Sequence, residues 1–176
     1  EDLDAAGFAD RHDDGGPAVD ACLAWLAAFH ARFLGDPGDG LWPIGTYWQL
    51  DTRRDELAGI KDRYLRTQAD AIHARLCAAK FQTILHGDPK EANFCFGADR
   101  VAAVDFQYAG RGCAMRDVAY LLHGHANPRA HLDVYFGHLH AALPNANEIE
   151  TEWRGLYDDA RLDFERFLAG CRVTRS

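Results

Sequence analysis

The sequence contains no apolar run that approaches the roughly 18 residues needed to span a membrane. Basic residues are in the minority, with 19 lysines and arginines against 27 aspartates and glutamates, for a net charge of −8. A protein that binds nucleic acid needs a basic face. The sequence therefore predicts neither a membrane partner nor a nucleic-acid partner.

Paired cysteines are also missing. The five cysteines are scattered along the chain, and none forms a CxxC pair. Isolated thiols in a domain of this size are typical of a reducing compartment, so we expect a cytoplasmic protein. The length of 176 residues and the hydrophobic content of 48% fit one domain with a core of its own.

Apolar residues recur at helical spacing along most of the chain. This spacing predicts five long helices, over residues 17–34, 61–80, 114–123, 128–143 and 148–171. Shorter helical turns are predicted at 47–50 and 54–57, strands at 81–85, 94–96 and 101–104, and a glycine-rich loop at 108–113. The pattern indicates a mainly helical α+β fold with one small β-hairpin.

The most informative motif is HGDPKEAN at residues 86–93, with a second aspartate, Asp105, twelve positions after Asn93. Gly87 permits a sharp turn, so Asp88 can project into a cleft. A strand, a turn and a returning strand lie between Asn93 and Asp105. Because a hairpin of this size brings its two ends together, we expect these two side chains to lie side by side.

This set of residues is what ATP-dependent phosphoryl transfer requires. Asp88 would orient and deprotonate an attacking hydroxyl, and Asn93 and Asp105 would hold Mg²⁺, which takes few protein ligands. Lys90 could reach a transferring phosphate as a point charge. An aspartate in a turn ordinarily just bonds its own backbone. The combined motif is much rarer than its parts and favours a phosphotransferase.

These residues resemble a known family, the aminoglycoside phosphotransferases and choline or ecdysteroid kinase-like enzymes. Residues 86–93 carry the family pattern HGDxxxxN, and Asp105 follows an apolar strand like the family's metal-binding aspartate. The run DVAYLL, which begins at Asp117, is similar to a later helix start, and the DFQ form at 105–107 looks closest to the ecdysteroid kinase-like branch. The resemblance implies a protein-kinase-like C-terminal lobe, ATP and Mg²⁺ as cofactors, and a small-molecule alcohol as substrate.

The resemblance also implies how the chain is divided. Glu1, Asp2 and Leu3 would form the hinge that meets adenine with backbone groups, so residues 1–16 would be hinge and linker and residues 17–176 the C-terminal lobe. The family's N-terminal lobe carries a glycine-rich loop and a lysine that grips the phosphates, and no lysine of this chain lies in such a context. We expect that lobe to be missing here and the fragment alone to be inactive.

The sequence allows two interpretations for several residues. Asp117 would brace the catalytic loop by the resemblance, but a carboxylate at a helix start also suits the helix dipole by itself. His86 would pack behind the loop. Trp42, Tyr47 and Trp48 form either core packing or the wall of a substrate pocket, where their rings would suit a cationic group.

Two other functions stay open. A kinase-like lobe could be a non-catalytic module that binds a ligand or a partner. The close pairs among the nine histidines, His123 with His125 and His138 with His140, invite a zinc interpretation. A spacing of two places helical partners on different faces, so solvated helix ends are the more ordinary explanation.

Overall fold

The computed structural model describes residues 3, 5–8, 18–98, 100–144 and 146–174, with only the backbone for 172–174. Its helices are α1 (Ala18–Arg32), α2 (Arg54–Leu57), α3 (Arg63–Cys77), α4 (Met115–Leu121), α5 (Pro128–Ala142) and α6 (Asn147–Thr174). Its strands are β1 (Thr83–Leu85), β2 (Phe94–Phe96), β3 (Val101–Ala103) and β4 (Gly110–Gly112). Short 3₁₀ turns cover Leu50–Thr52 and Glu91–Asn93.

The predicted fold class is confirmed, because helices form most of the described chain and the β-structure is small. Helix α1 packs on α5, and the long helix α6 packs against α2, α3 and α4. Fully buried side chains such as Leu23, Tyr135 and Trp153 join these helices into one core. In the described part of the chain, no helix combines the length and the apolar character that crossing a membrane would take.

The predicted β-hairpin is present. Strands β2 and β3 pair in antiparallel fashion, with Phe94 opposite Ala103 and Phe96 opposite Val101. The amide of Val104 donates to the carbonyl oxygen of Asn93 at 2.9 Å, one step beyond the two strands. This bond keeps the two ends of the hairpin together, as expected from the sequence.

The prediction of a glycine-rich loop at 108–113 is wrong for Gly110–Gly112. These residues form strand β4, which pairs with β1 so that Thr83 lies opposite Gly112 and Leu85 opposite Gly110. Glycine has a low strand propensity, which hides this strand from sequence reasoning. It suits the position because a Cβ on Gly110 would overlap the carbonyl oxygen of Trp42.

Two helix predictions also need correction. The turn expected at 47–50 begins only at Leu50 and is a 3₁₀ turn. Helix α3 starts at Arg63 rather than at residue 61, because the side chain of Asp62 accepts a hydrogen bond from the amide of Leu65 at 3.1 Å and caps the helix.

A buried ion network holds the segment before α2 in place. Asp163 on α6 accepts from Arg116 on α4 at 2.5 Å and from Arg166 at 3.0 Å, and all three side chains are buried. Arg166 also donates to the carbonyl oxygen of Trp48 at 2.6 Å. The network therefore anchors the backbone at Trp48 to the helical core.

Gly110→Ala is expected to lower the free energy of unfolding by about 1–3 kcal/mol, because the added methyl group would overlap the backbone of Trp42. Gly137→Ala is the matched control, since nothing lies within 4 Å of a Cβ at that helical position. We expect the control to raise stability by about 0.5–1 kcal/mol. Urea denaturation measures both changes, and equal effects at the two sites would contradict the close approach.

Candidate active site

The HGDPKEAN segment forms a tight loop after β1. Gly87 has a φ of +88°, and a Cβ there would overlap the backbone of Tyr108. Glycine is thus required both by the backbone conformation and by the close approach of another segment. The turn leaves Asp88 with only 5% of its surface exposed.

The two carboxylate oxygens of Asp88 differ in their hydrogen bonding to the described residues. Its Oδ2 lies 3.2 Å from Nζ of Lys90 and 3.2 Å from Nδ2 of Asn93. Its Oδ1 is buried and has no hydrogen-bond partner within the described ranges. A buried acceptor without a donor is costly, so this oxygen is suited to meet a group that a ligand brings.

Asn93 and Asp105 lie at adjacent ends of the hairpin, as the bond from Val104 to Asn93 requires. Nδ2 of Asn93 donates to the carbonyl oxygen of Asp88 at 2.8 Å, which fixes the amide and leaves its oxygen as the atom to offer a cation. Asp105 is exposed and has a φ of +66°, a conformation uncommon outside glycine. These oxygen donors fit Mg²⁺, which needs few protein ligands beside phosphate and water.

Asp117 braces the loop through its backbone. Oδ2 of Asp117 accepts from the amide of His86 at 2.7 Å, and Oδ1 accepts from the amide of Gly87 at 3.1 Å. Nε2 of His30 lies 3.2 Å from the same Oδ2, inside the core. Asp117 also stands in the first turn of α4, so both sequence interpretations hold, and the bracing contact is the more specific one.

His86 packs behind the loop. Its Nε2 lies 2.9 Å from the carbonyl oxygen of Val104, and its Nδ1 accepts from the amide of Asp88 at 3.3 Å. Burial lowers the pKa of His86, so the neutral ring that these two contacts require is favoured. The ring of Phe106 lies 4.5 Å from the imidazole, centre to centre.

The aromatic residues of this segment divide between the two interpretations, core packing and the wall of a pocket. Trp48 is fully buried and packs edge-on against Tyr120 and Phe164, so it belongs to the core. Trp42 is half exposed, and Tyr47 lines two cavities beside the loop. The amide of Tyr47 donates to the carbonyl oxygen of Gly87 at 3.4 Å, which ties this segment to the loop.

Tyr120 is a site residue that sequence reasoning missed. It stands three residues after Asp117 on α4 and lines a cavity of about 440 Å³ together with Lys90 and Tyr47. Burial raises the pKa of the Tyr120 hydroxyl, and its contacts with Tyr47 and Asp88 raise it further. The signal was the i, i+3 spacing from Asp117, which places both side chains on one side of the helix.

The predicted adenine contacts fall mostly outside the described residues, where Glu1 and Asp2 lie. The carbonyl oxygen of Leu3 accepts from the amide of Phe8 at 2.9 Å, within a turn. The side chain of Arg100 donates to the carbonyl oxygen of Ala6 at 2.7 Å and so holds this turn against the hairpin. The hinge role of residues 1–3 stays a prediction.

Three of the four histidines in the close pairs contact a carboxylate or a ring from another part of the chain. His125 lies 3.0 Å from Glu91, and His140 lies 2.6 Å from Glu150. The ring of His123 packs edge-on against Phe164. In the residues whose placement is known, no three histidine, cysteine or acidic side chains come together as a metal would require.

The sequence profile of the phosphotransferase enzyme family matches residues 3–156. The chain belongs to this family. The match confirms the resemblance to aminoglycoside phosphotransferases and choline kinase-like proteins. It covers the HGDPKEAN loop, the hairpin and the helix that carries Asp117.

Among solved structures, the chain is similar to the choline kinase LicA from Streptococcus pneumoniae, with 14% sequence identity and a TM-score of 0.47. The alignment covers 85% of this chain and 54% of the LicA chain, so the chain spans about half the length of that protein. No curated protein sequence matches the chain.

Asp117→Asn is expected to lower the free energy of unfolding by about 1–3 kcal/mol, because an amide cannot accept bonds on both sides and one loop N–H loses its partner. Asp158→Asn, on the exposed face of α6, should change stability by less than about 0.5 kcal/mol. Urea denaturation compares the two. If Asp117→Asn lost little stability and added salt abolished that loss, Asp117 would act only through its charge at the helix start.

Proposed function

We propose that this chain carries the catalytic residues of an ATP- and Mg²⁺-dependent phosphotransferase that acts on the hydroxyl group of a small molecule. The observation that carries the proposal is the buried carboxylate of Asp88. Its Oδ2 is held by Lys90 and Asn93, and its Oδ1 lacks a partner among the described residues. Family membership supports the same class of reaction.

Asp88 accepts the proton of the attacking hydroxyl as that oxygen bonds to the γ-phosphorus and the bond to ADP breaks. The two contacts on Oδ2 fix the direction in which Oδ1 points, so the base is oriented before substrate arrives. Lys90 has its ammonium group 3.2 Å from this carboxylate and half of its side chain exposed, from where it can also meet phosphate oxygens. Positioning and charge neutralisation supply most of the rate in such a reaction.

Asn93 and Asp105 are the residues that would hold Mg²⁺. The ion supplies neutralisation of the phosphate charge when it is bound. The contribution of the chain is the fixed orientation of the Asn93 amide, which two hydrogen bonds to Asp88 determine. Asp105 adds an exposed carboxylate at the neighbouring end of the hairpin.

The remaining assignments complete this proposal. Residues 1–3 serve as the adenine hinge, and a separate N-terminal lobe supplies the phosphate-gripping loop and lysine. The DFQ form after β3 favours the ecdysteroid kinase-like branch, and the absence of a CxxC pair among the five cysteines suits a cytoplasmic location. A chain without the second lobe has little activity by itself.

Asp88→Asn in the complete enzyme is expected to lower kcat by about 10²- to 10⁴-fold, because the amide cannot accept the proton. Nucleotide affinity should stay unchanged, since Asp88 does not hold the nucleotide. ATP consumption over a panel of alcohols and ATP binding by calorimetry are the two measurements.

The control for this substitution is Asp39→Asn, which removes a carboxylate from the exposed loop at residues 35–45. Turnover of the Asp88 variant within a few-fold of the wild type would contradict its role as the base. Nucleotide binding with no turnover by the wild-type enzyme on any alcohol would favour a non-catalytic binding module instead.

Asp105→Asn should raise the Mg²⁺ concentration needed for half-maximal activity by about tenfold or more, because the ion loses the carboxylate ligand proposed for it. Electron paramagnetic resonance of Mn²⁺ in the presence of ATP measures the same loss without turnover. Unchanged Mn²⁺ affinity would show that Asp105 does not hold the metal.

A further inference from the structure

A cavity of about 260 Å³ lies between Tyr108 and the segment that runs from Trp42 to Arg53. We call it the Thr46–Gln49 pocket, after two side chains that line it. Rings of Trp42, Tyr47 and Tyr108 form its apolar walls. Tyr47 and Tyr108 lie 5.5 Å apart, centre to centre. Since about 150 Å³ is enough for a benzene ring, the pocket can hold one substituted ring.

Two polar side-chain atoms of this pocket lack a hydrogen-bond partner in the described part of the chain. Oγ1 of Thr46 and Oε1 of Gln49 are buried and have no partner among the residues that the structure describes. The two residues are only 4% and 8% exposed. Buried polar atoms are nearly always satisfied, so two unsatisfied ones in one small pocket indicate a ligand that brings a donor.

The backbone at Thr46 supports the same conclusion. Its φ of +103° lies in the left-handed half of conformational space, which a β-branched residue rarely adopts. Residues held in such conformations are concentrated at ligand sites, where the surrounding structure imposes them. Here the amide of Thr46 is held by the carbonyl oxygen of Tyr108 at 3.2 Å, and Trp48 is anchored by Arg166.

Two residues that line the pocket, Tyr47 and Tyr108, contact the loop that carries Asp88. The amide of Tyr47 donates to the carbonyl oxygen of Gly87, the residue before Asp88. The backbone of Tyr108 occupies the space that a side chain at Gly87 would fill. The pocket therefore lies against the segment that carries the proposed base.

The charges around the pocket disfavour a cationic ligand. None of the described residues that line it is an aspartate or a glutamate, and the one charged side chain there is Arg53. Its guanidinium group donates to the carbonyl oxygen of Tyr47 at 3.1 Å and to Glu56 at 3.2 Å, so it stays close by. Glu56 offsets the charge of Arg53, and an ammonium group in the pocket would have no carboxylate among the described lining residues to compensate its lost hydration.

The larger cavity beside Lys90 offers a weaker case. Its acidic side chain, Glu91, already pairs with His125 at 3.0 Å. No side-chain atom within the described part of that cavity is buried and unsatisfied. Of these two cavities, the Thr46–Gln49 pocket is the one whose described lining side chains include unsatisfied acceptors.

We propose that the Thr46–Gln49 pocket binds the ring of the acceptor alcohol, an inference that rests on the proposed phosphotransferase function. The hydroxyl to be phosphorylated points to Asp88. A second hydroxyl on the same ring donates to Oε1 of Gln49 and accepts from the hydroxyl of Thr46. The pocket thus selects a neutral ring alcohol with two polar groups over a cationic one.

Three probes that share one ring test this selection by calorimetry. They are 4-hydroxybenzyl alcohol, benzyl alcohol, which lacks the second donor, and 4-(aminomethyl)benzyl alcohol, which replaces it with a cation. All titrations use the complete protein with Asp88→Asn, so the catalytic carboxylate cannot attract the amine. We expect 4-hydroxybenzyl alcohol to bind about tenfold more tightly than either of the other two.

Gln49→Leu in the same background keeps the size of the side chain and removes the acceptor, so 4-hydroxybenzyl alcohol should then bind only as well as benzyl alcohol. Thr46→Val retains the β-branched shape and should remove part of the preference. Gln68→Leu on α3, outside the pocket, is the matched control and should leave all three affinities unchanged.

Equal affinities for the three probes, or a preference for the amine, would overturn the inference. This comparison does not depend on whether a pocket variant folds. Loss of the preference in Gln68→Leu as well as in Gln49→Leu would also overturn it. Because binding is measured without turnover, these results are separate from the test of Asp88. Turnover on an alcohol with no pocket preference would remove the inference and leave the proposed function standing.

Discussion

The carboxylate of Asp117 reaches from the first turn of α4 to two consecutive amides of the HGDPKEAN loop, at His86 and Gly87. The rest of the site depends on this contact, because the direction of Asp88 follows from the two residues before it. His30 completes the burial of the carboxylate from the side of α1. One side chain thus joins two helices of the core to the residue proposed to act on the substrate.

A second constraint is the close approach of three backbone segments. Gly87 lies against Tyr108, and Gly110 lies against Trp42, at distances that leave no room for a Cβ. The segment from Trp42 to Gln49 therefore lies directly over the loop, where Arg166 anchors it from α6. Close packing of this kind buries Asp88, Thr46 and Gln49, each of which has an oxygen without a partner among the described residues.

Much of the site could be predicted because it is local in the sequence. The hairpin between Asn93 and Asp105 has strands, turn and return within one short stretch, so its ends had to meet. Strand β4 could not be predicted, because its partner β1 lies some 25 residues earlier and its glycines have little strand propensity. The sequence could not decide between the two interpretations of Asp117 either, since its hydrogen-bond partners stand about 30 residues away in the chain.

By itself, the sequence determined the family and the mainly helical α+β fold, and it singled out Asp88, Asn93 and Asp105 as the proposed site, because each follows from short-range spacing and residue type. The tertiary structure alone decided that Trp48 is core while Tyr47 lines a cavity, that Tyr120 stands beside Asp88, and that buried oxygens of Thr46 and Gln49 have no partner among the described residues. Those outcomes depend on which distant segments meet, and on how the buried donors and acceptors are shared once they do.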